Sequence, residues 1–211
     1  ERLESLTAGA VEQGAELVLW PEAAYPLPVS RVQLLMRARD TLVSAHPVVP
    51  RIVGALSEHA AHRGTSRCAM WNTLIATDAH GRITGYVDKR LLFPFAEYIP
   101  FWSWSSSLQA RYPCRGERVG EGEALLSVAG TPLGLLNCYE DVDPGPARDV
   151  TRLGAEVLLN FSNDAWFGRS VQPELHRIVA RFRAIETRRD LVRAVNTGAS
   201  GHISATGEEL V

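Results

Sequence analysis

The sequence predicts an α/β protein built on a mixed sheet, and three observations carry that prediction. Short apolar runs of buried-strand length recur at 16–20, 52–56, 133–137, 157–161 and 191–195. Segments at 2–13 and 174–189 carry apolar residues at helical spacing. Two pairs of runs, Arg67 to Thr77 with Arg82 to Val87 and Leu125 to Val128 with Leu133 to Asn137, read as hairpins across short turns that contain glycine. Helices alternating with strands, plus hairpins, argue for α/β architecture.

Each element has its local reason. Arg2 to Gln13 places Leu3, Leu6, Ala10 and Val11 on one helical face, with Gly14 where a C-terminal cap belongs. Glu16 to Trp20 is a buried strand stopped by Pro21, and Glu22 follows it. Ala23 to Pro28 is a proline-rich loop. Ser30 is placed to cap a helix running to about Ser44, with Val32, Leu35, Met36, Leu42 and Val43 on one face. Ile52 to Leu56 is a second buried strand, followed by a polar loop from Ser57 to Ser66. The first hairpin turns at 78–81, and Lys89 lies just past its second strand. Leu91 to Pro113 is rich in Pro, Phe, Trp and Ser with little periodicity, and a loop of that length inside a domain is usually functional or mobile. The second hairpin turns over Gly130-Thr131, and Cys138 follows it. Ala147 to Leu153 is a short helix closed by Gly154. Val157 to Phe161 is a strand and Asn163 to Gly168 a loop. Pro173 suits the first turn of a helix from Glu174 to Arg189, with Leu175, Ile178, Val179, Phe182 and Ile185 on one stripe. Leu191 to Val195 and Gly201 to Thr206 close the chain as strands.

Composition bounds the function. A single domain over residues 1–211 is the default, and the chain is long enough for a core. The apolar (45%) and charged (22%) fractions are those of a globular domain, not a disordered one. A formal net charge of -2 supplies no basic field for nucleic acid. No apolar run reaches membrane-spanning length; the uncharged stretch Ala124 to Tyr139 is broken by Gly130, Pro132 and Gly134. No signal peptide is visible, and a start on a helix with no strand before it reads as a cut from something longer. Cys68, Cys114 and Cys138 are too few and too irregular for a disulfide framework, and no Cys or His cluster has zinc-site spacing, so neither metal nor cofactor is expected. His59 and His62 share a helical spacing without an acidic or cysteine partner and read as loop residues.

Candidate chemistry sits at three strand ends. Cys138 ends the apolar run Leu133 to Asn137; Glu22 follows Trp20-Pro21; Lys89 follows the second hairpin strand. Taken singly each has a plainer reading: a small apolar residue finishing a strand, a turn glutamate, a surface lysine. Together they suit acyl transfer, because ends of neighbouring strands converge where α/β sheets keep their sites. A thiol is only slightly ionised at neutral pH and needs activation. A buried glutamate can take its proton, and a fixed lysine can stabilise the thiolate and then an oxyanion. The Tyr139 amide is a second candidate oxyanion donor.

The order of these residues resembles the carbon–nitrogen hydrolase (nitrilase) superfamily, with its Glu-Lys-Cys triad. The matching stretches are Leu19 to Pro26, Asp88 to Leu91, Pro94 to Pro100, Asn137 to Glu140, Ser162 to Gly168, Ala180 to Glu186 and Arg193 to Gly198. Pro94-Phe95-Ala96-Glu97-Tyr98-Ile99-Pro100 and Asn163-Asp164-Ala165-Trp166-Phe167-Gly168 resemble its apolipoprotein N-acyltransferase branch and separate it from soluble amidases. The resemblance implies a four-layer αββα sandwich, here apparently truncated at both ends. It implies Glu22 as general base, Lys89 as oxyanion stabiliser, Cys138 as nucleophile and Glu97 as a second site glutamate. Tyr139, Glu140 and Trp166 would support the site. Glu97 and Glu140 are alternatively structural, one holding Lys89 and the other anchoring a loop.

The branch moves the sn-1 acyl group of a phospholipid, through a cysteine thioester, to the N-terminal amine of a diacylglyceryl apolipoprotein. It works at the bacterial inner membrane with this domain facing the periplasm. Phe101 to Trp104 would then face the membrane, or else fold over the domain's own core. Departures from the pattern are Ala96 in place of glycine, the partial match at Glu174-Leu175-His176, the absent membrane helices and the stop at Val211. The alternative function is a soluble amidase with water as acceptor; a catalytically dead interaction domain is disfavoured by the intact triad. Cys68 and Cys114, beside no candidate base, are expected to be dispensable.

Overall fold

The structure is a computed structural model that describes residues 2–36, 41–59, 70–112, 116–122 and 124–211. Two five-stranded sheets form its centre. The first holds β1 (Val18–Trp20), β2 (Val29–Ser30), β3 (Arg51–Glu58), β4 (Met70–Thr77) and β5 (Ile83–Asp88), in the order β1-β3-β4-β5 with β2 also on β3. β1 and β2 run parallel to β3, and β3, β4 and β5 are antiparallel. The second holds β6 (Leu125–Val128), β7 (Thr131–Asn137), β8 (Val157–Asn163), β9 (Asp190–Asn196) and β10 (Gly201–Ile203), in the order β10-β9-β8-β7-β6. Its middle strands β7, β8 and β9 are parallel, and its edges are antiparallel. The helices are α1 (Arg2–Glu12), α2 (Arg31–Leu35), α3 (Ser106–Arg111), α4 (Pro144–Arg152) and α5 (Gln172–Thr187).

Strand side chains alternate between faces, so each residue of the first sheet belongs to one of two cores. Ile52, Leu74, Ala76 and Val87 enter a core shared with Leu133, Leu135, Leu159 and Phe161 of the second sheet. Their neighbours Val53, Ala55 and Ile75 point the other way, onto Trp20 and Leu34, with Leu3 of α1 packed there. Trp20 Nε1 also donates to Thr7 Oγ1 at 3.0 Å, which ties α1 to β1. Beyond the second sheet, Ala147 and Val150 of α4 and Ala180 and Ala184 of α5 pack on its outer face, where Leu158 lies, and continue the same buried cluster. The layers are therefore helix, sheet, sheet, helix, the four-layer arrangement that the resemblance implies.

Three local expectations are corrected. The helix expected from Ser30 to Ser44 is only Arg31–Leu35 and stops at Met36. Ser30 pairs with Glu58 in the sheet, and its side chain makes no cap bond. Leu42 and Val43 reach the same core from a loop. The helix expected at Ala147 begins three residues earlier. Pro144 sits in its first turn, where a missing N–H costs nothing, and the Asp143 side chain accepts from the Gly145 amide. The third concerns α5. The stripe Leu175, Ile178 and Phe182 is 43–51% exposed, whereas His176, Ala180, Arg183 and Ala184 are buried. Periodicity finds an apolar face but not what the helix packs on. Here α5 meets polar groups around residues 141–142, and small or ion-paired side chains fit there.

The segment after Lys89 contains a 3-10 turn, Trp102–Trp104, and α3, which Ser105 caps by accepting from the Leu108 amide. Phe101 and Trp104 are 69% and 84% exposed, so this loop is not folded over the core. His59 packs edge-on to Trp71. His62, Cys68 and Cys114 lie outside the described residues.

Candidate active site

Cys138 is the first residue after β7 and heads the 3-10 turn Cys138–Asp141. Its φ of 53° lies in the left-handed region, a conformation that costs on the order of 1–3 kcal/mol for a side chain other than glycine. The surroundings hold it there. Asn160 Nδ2 donates to the Cys138 carbonyl at 3.0 Å, and Glu140 Oε2 accepts from the Asn137 amide at 2.8 Å. The other oxygen of Glu140 accepts from the amides of Arg90 and Leu91 at 2.7 and 2.9 Å. One buried carboxylate thus pins the lysine segment onto the cysteine turn.

Glu22 and Lys89 come from the other sheet. Sequence reasoning expected neighbouring strand ends; instead β3 and β4 stand between β1 and β5, and Cys138 faces them from the second sheet. Glycine makes the Glu22 approach possible. A Cβ on Gly54 of β3 would lie 2.1 Å from the Pro21 carbonyl oxygen. Glu22 is buried, and its Oε1 accepts from Asn72 Nδ2 at 2.6 Å while its Oε2 accepts from the Asn163 amide at 2.9 Å. Asn72 Oδ1 accepts in turn from Asn137 Nδ2 at 2.9 Å, so an amide chain crosses between the sheets and fixes the carboxylate. Lys89 is 1% exposed, with Nζ 3.6 Å from Glu22 Oε1 and 2.5 Å from Glu97 Oε1. Glu97 Oε2 accepts from the Phe93 amide at 2.7 Å.

The electrostatics follow from burial and partners. Burial disfavours the Lys89 ammonium, but the negative charges facing it, that of Cys138 when ionised and those of Glu22 and Glu97, outweigh burial and hold the lysine above its ordinary range. Burial and the Glu22 charge push the Cys138 thiol well above its ordinary value, against the pull of Lys89. Both effects disfavour the thiolate at rest, so attack by the sulfur calls for a base during the step. Burial raises Glu140 too, opposed by its three backbone donors. Glu22, Lys89, Glu97 and Cys138 line one cavity of about 340 Å³, together with Phe93, Ala96, Tyr139, Trp166 and Phe167. That volume is at the small end for a ligand site, and most of its lining is apolar. Tyr139 stacks on His176 with centroids 4.9 Å apart, and Gln172 Nε2 donates to its hydroxyl at 2.6 Å. Among the described residues no group of three His, Cys, Asp or Glu side chains is arranged to hold a metal ion.

All seven predicted site residues fall in this region, six of them on the cavity wall and Glu140 behind it. Sequence reasoning missed Asn72, Asn137, Ser162, Asp164 and His176 as members of the network. A signal existed: each polar residue inside an apolar strand or helix pattern must find a partner when buried.

A carbon-nitrogen hydrolase family model matches residues 1–209, and the chain belongs to that family. It is an enzyme of the nitrilase superfamily. Among curated relatives it is 34% identical over 212 residues to the apolipoprotein N-acyltransferase of Rhizobium meliloti, covering 96% of this chain and 39% of that protein. The enzyme of the same name from Geobacter metallireducens is 32% identical over 213 residues, covering 97% of this chain and 39% of that protein. The chain thus spans about two fifths of the length of these relatives. In fold it is similar to a carbon-nitrogen hydrolase from Helicobacter pylori (TM-score 0.70, 17% identity, 100% of this chain and 78% of that one). It is also similar to an amidase from a Nesterenkonia species (TM-score 0.64, 20% identity, 99% of this chain and 76% of that one).

Proposed function

We propose that residues 1–211 are the single catalytic domain of an apolipoprotein N-acyltransferase, with Glu22, Lys89 and Cys138 as its triad. The observation that carries this reading is one apolar cavity holding a buried thiol, a buried lysine and the carboxylates of Glu22 and Glu97, in a chain whose relatives bear that name. The amidase alternative has no observation that favours it over this one.

In the proposed reaction the Cys138 sulfur attacks the sn-1 ester carbonyl of a phospholipid while Glu22 accepts the thiol proton. Lys89 and the Tyr139 amide, which lies in the first turn of the 3-10 helix where N–H groups have no intrahelical partner, stabilise the oxyanion. The carbon–oxygen bond breaks, Glu22 returns its proton to the departing lysophospholipid oxygen, and a thioester remains. The α-amine of a diacylglyceryl apolipoprotein then attacks the thioester. Glu22 takes a proton from that amine and delivers it to the departing sulfur. Glu97 holds Lys89 throughout. No metal or cofactor is needed in this scheme.

The lipid partner fits the surface. Phe93 and Trp166 line the cavity yet stay exposed, and Phe95, Phe101 and Trp104 project nearby in sequence, more than two thirds exposed. Aromatic rings favour the lipid–water interface. No helix among the described residues is long and apolar enough to cross a membrane. We place the full-length protein in the bacterial inner membrane with this domain on its periplasmic side. The test is the full-length protein with phospholipid vesicles and a diacylglyceryl-cysteine peptide. Lysophospholipid and N-acyl peptide should appear in equal amounts, and neither with Cys138→Ala. Release of free fatty acid without peptide acylation would overturn this reading in favour of a hydrolase.

A further inference from the structure

A buried polar chain leads away from the nucleophile, and the proposed mechanism leaves it unused. Cys138 Sγ lies 3.6 Å from Ser162 Oγ, and Ser162 Oγ lies 2.8 Å from Asp164 Oδ1. Asp164 Oδ1 is 3.0 Å from His176 Nδ1, and His176 Nε2 is 2.7 Å from Asp141 Oδ1. Arg193 Nε stands 3.8 Å from Asp141 Oδ2. Ser162, Asp164, His176, Asp141 and Arg193 are each 3% exposed or less. Two carboxylates therefore meet an arginine and a histidine placed to donate through both ring nitrogens.

Proton counting makes this chain informative. A serine hydroxyl has one proton and an ionised carboxylate has none. With Asp164 as the nearer and stronger acceptor, the Ser162 proton points at Asp164. The hydroxyl lone pair then faces the sulfur. Once Glu22 has taken the thiol proton, that arrangement sets a lone pair against a thiolate. Rotation about the Cβ–Oγ bond brings the Ser162 proton onto the sulfur instead. Asp164 loses one donor as this happens, and His176 keeps it paired. No atom enters or leaves; one hydrogen bond is exchanged for another.

We infer that Ser162 is a two-position hydrogen-bond switch that donates to the Cys138 thiolate only after ionisation, with Asp164, His176 and Asp141 as positioning residues that set its resting orientation. This rests on the reading of Cys138 as the nucleophile. The charged and titratable groups around the sulfur are Glu22, Lys89, Glu97 and Glu117 on the first-sheet side, Tyr139 and Glu140 in its own turn, and Asp164, Asp141, His176 and Arg193 from the second-sheet side and α5. Substitutions at Ser162 leave all of them in place.

The experiment is the pH dependence of Cys138 alkylation by iodoacetamide in the full-length protein, located by mass spectrometry with Cys138→Ala as the blank. Ser162→Ala should raise the apparent midpoint by about one pH unit, a tenfold loss of thiolate at fixed pH. Ser162→Thr keeps the hydroxyl and should keep the wild-type midpoint, which a role in packing alone would not produce. Asp164→Asn weakens the pull on the hydroxyl and should lower the midpoint, and in the Ser162→Ala background most of that fall should vanish. Equal midpoints in the wild type, Ser162→Ala and Ser162→Thr would overturn the inference, as would an Asp164→Asn shift of the same size without Ser162. Alkylation needs no acyl donor. Midpoint shifts without any acyl adduct would therefore sink the acyltransferase reading and leave the switch standing.

Discussion

Replacing His176 by glutamine should destabilise the protein in a pH-dependent way, with a sign set by the two carboxylates around it. Burial works against an imidazolium at this position, but the hydrogen bonds to Asp141 and Asp164 prevail and push His176 up to about 9. In the unfolded chain it titrates near the ordinary value, about 6.5. A group whose folded value is raised adds its full stability below the unfolded value and loses it as the pH climbs to the folded one. The gap from 6.5 to about 9 corresponds to roughly 3 kcal/mol. For a chain of this size 1 kcal/mol moves the thermal midpoint by about 2–4 °C. The wild-type advantage over His176→Gln should therefore shrink by about 6–12 °C between pH 6 and pH 9.5. A constant remainder should persist, because glutamine cannot bridge two carboxylates as an imidazolium does. Thermal unfolding of both proteins across that range reads the effect directly. A gap that stays constant, or that widens with rising pH, would mean that His176 is neutral in the folded protein.

Asn72→Leu should slow acylation by about one to two orders of magnitude, because it removes a hydrogen bond to the charged Glu22 of the kind worth roughly 1.5–3 kcal/mol. A single-turnover rate within twofold of wild type would remove Asn72 from the machinery. Glu22→Gln should nearly abolish lysophospholipid release, since general acid–base catalysis is worth about 10²–10⁴-fold. Glu97→Gln should still acylate Cys138 detectably yet pass the acyl group poorly to the amine, so the thioester accumulates; if both variants block the first step equally, the two glutamates form one acid–base unit. Intact mass after incubation with phospholipid should show one acyl adduct that Cys138→Ala lacks and that a Cys68→Ser/Cys114→Ser variant keeps. Replacing Phe95 and Trp104 by serine should weaken vesicle binding in a sedimentation assay while leaving cysteine alkylation unchanged; equal binding would mean that these rings do not meet lipid.

Much of the fold was legible in the sequence, because strand periodicity and turn residues are local. The apolar run Leu133 to Leu136, the hairpin turn at 78–81 and Pro173 in the first turn of α5 each carry their own signal. The chemistry was legible as residue types at strand ends, with a thiol, an ammonium and carboxylates in a recognisable order. Tertiary structure decided what periodicity cannot express. It placed Glu22 and Lys89 on one sheet and Cys138 on the other, so that the site lies between sheets and not along an edge. It turned α5 so that His176 and Arg183 face inward while Leu175 and Phe182 face out. A side chain's environment depends on partners remote in the chain: His176 is 35 residues from Asp141, and Asn72 is 65 from Asn137. Burying such polar groups is favourable only once those partners are in place. Sequence by itself therefore determined which residues could do chemistry, and only the packed fold decided which of them touch.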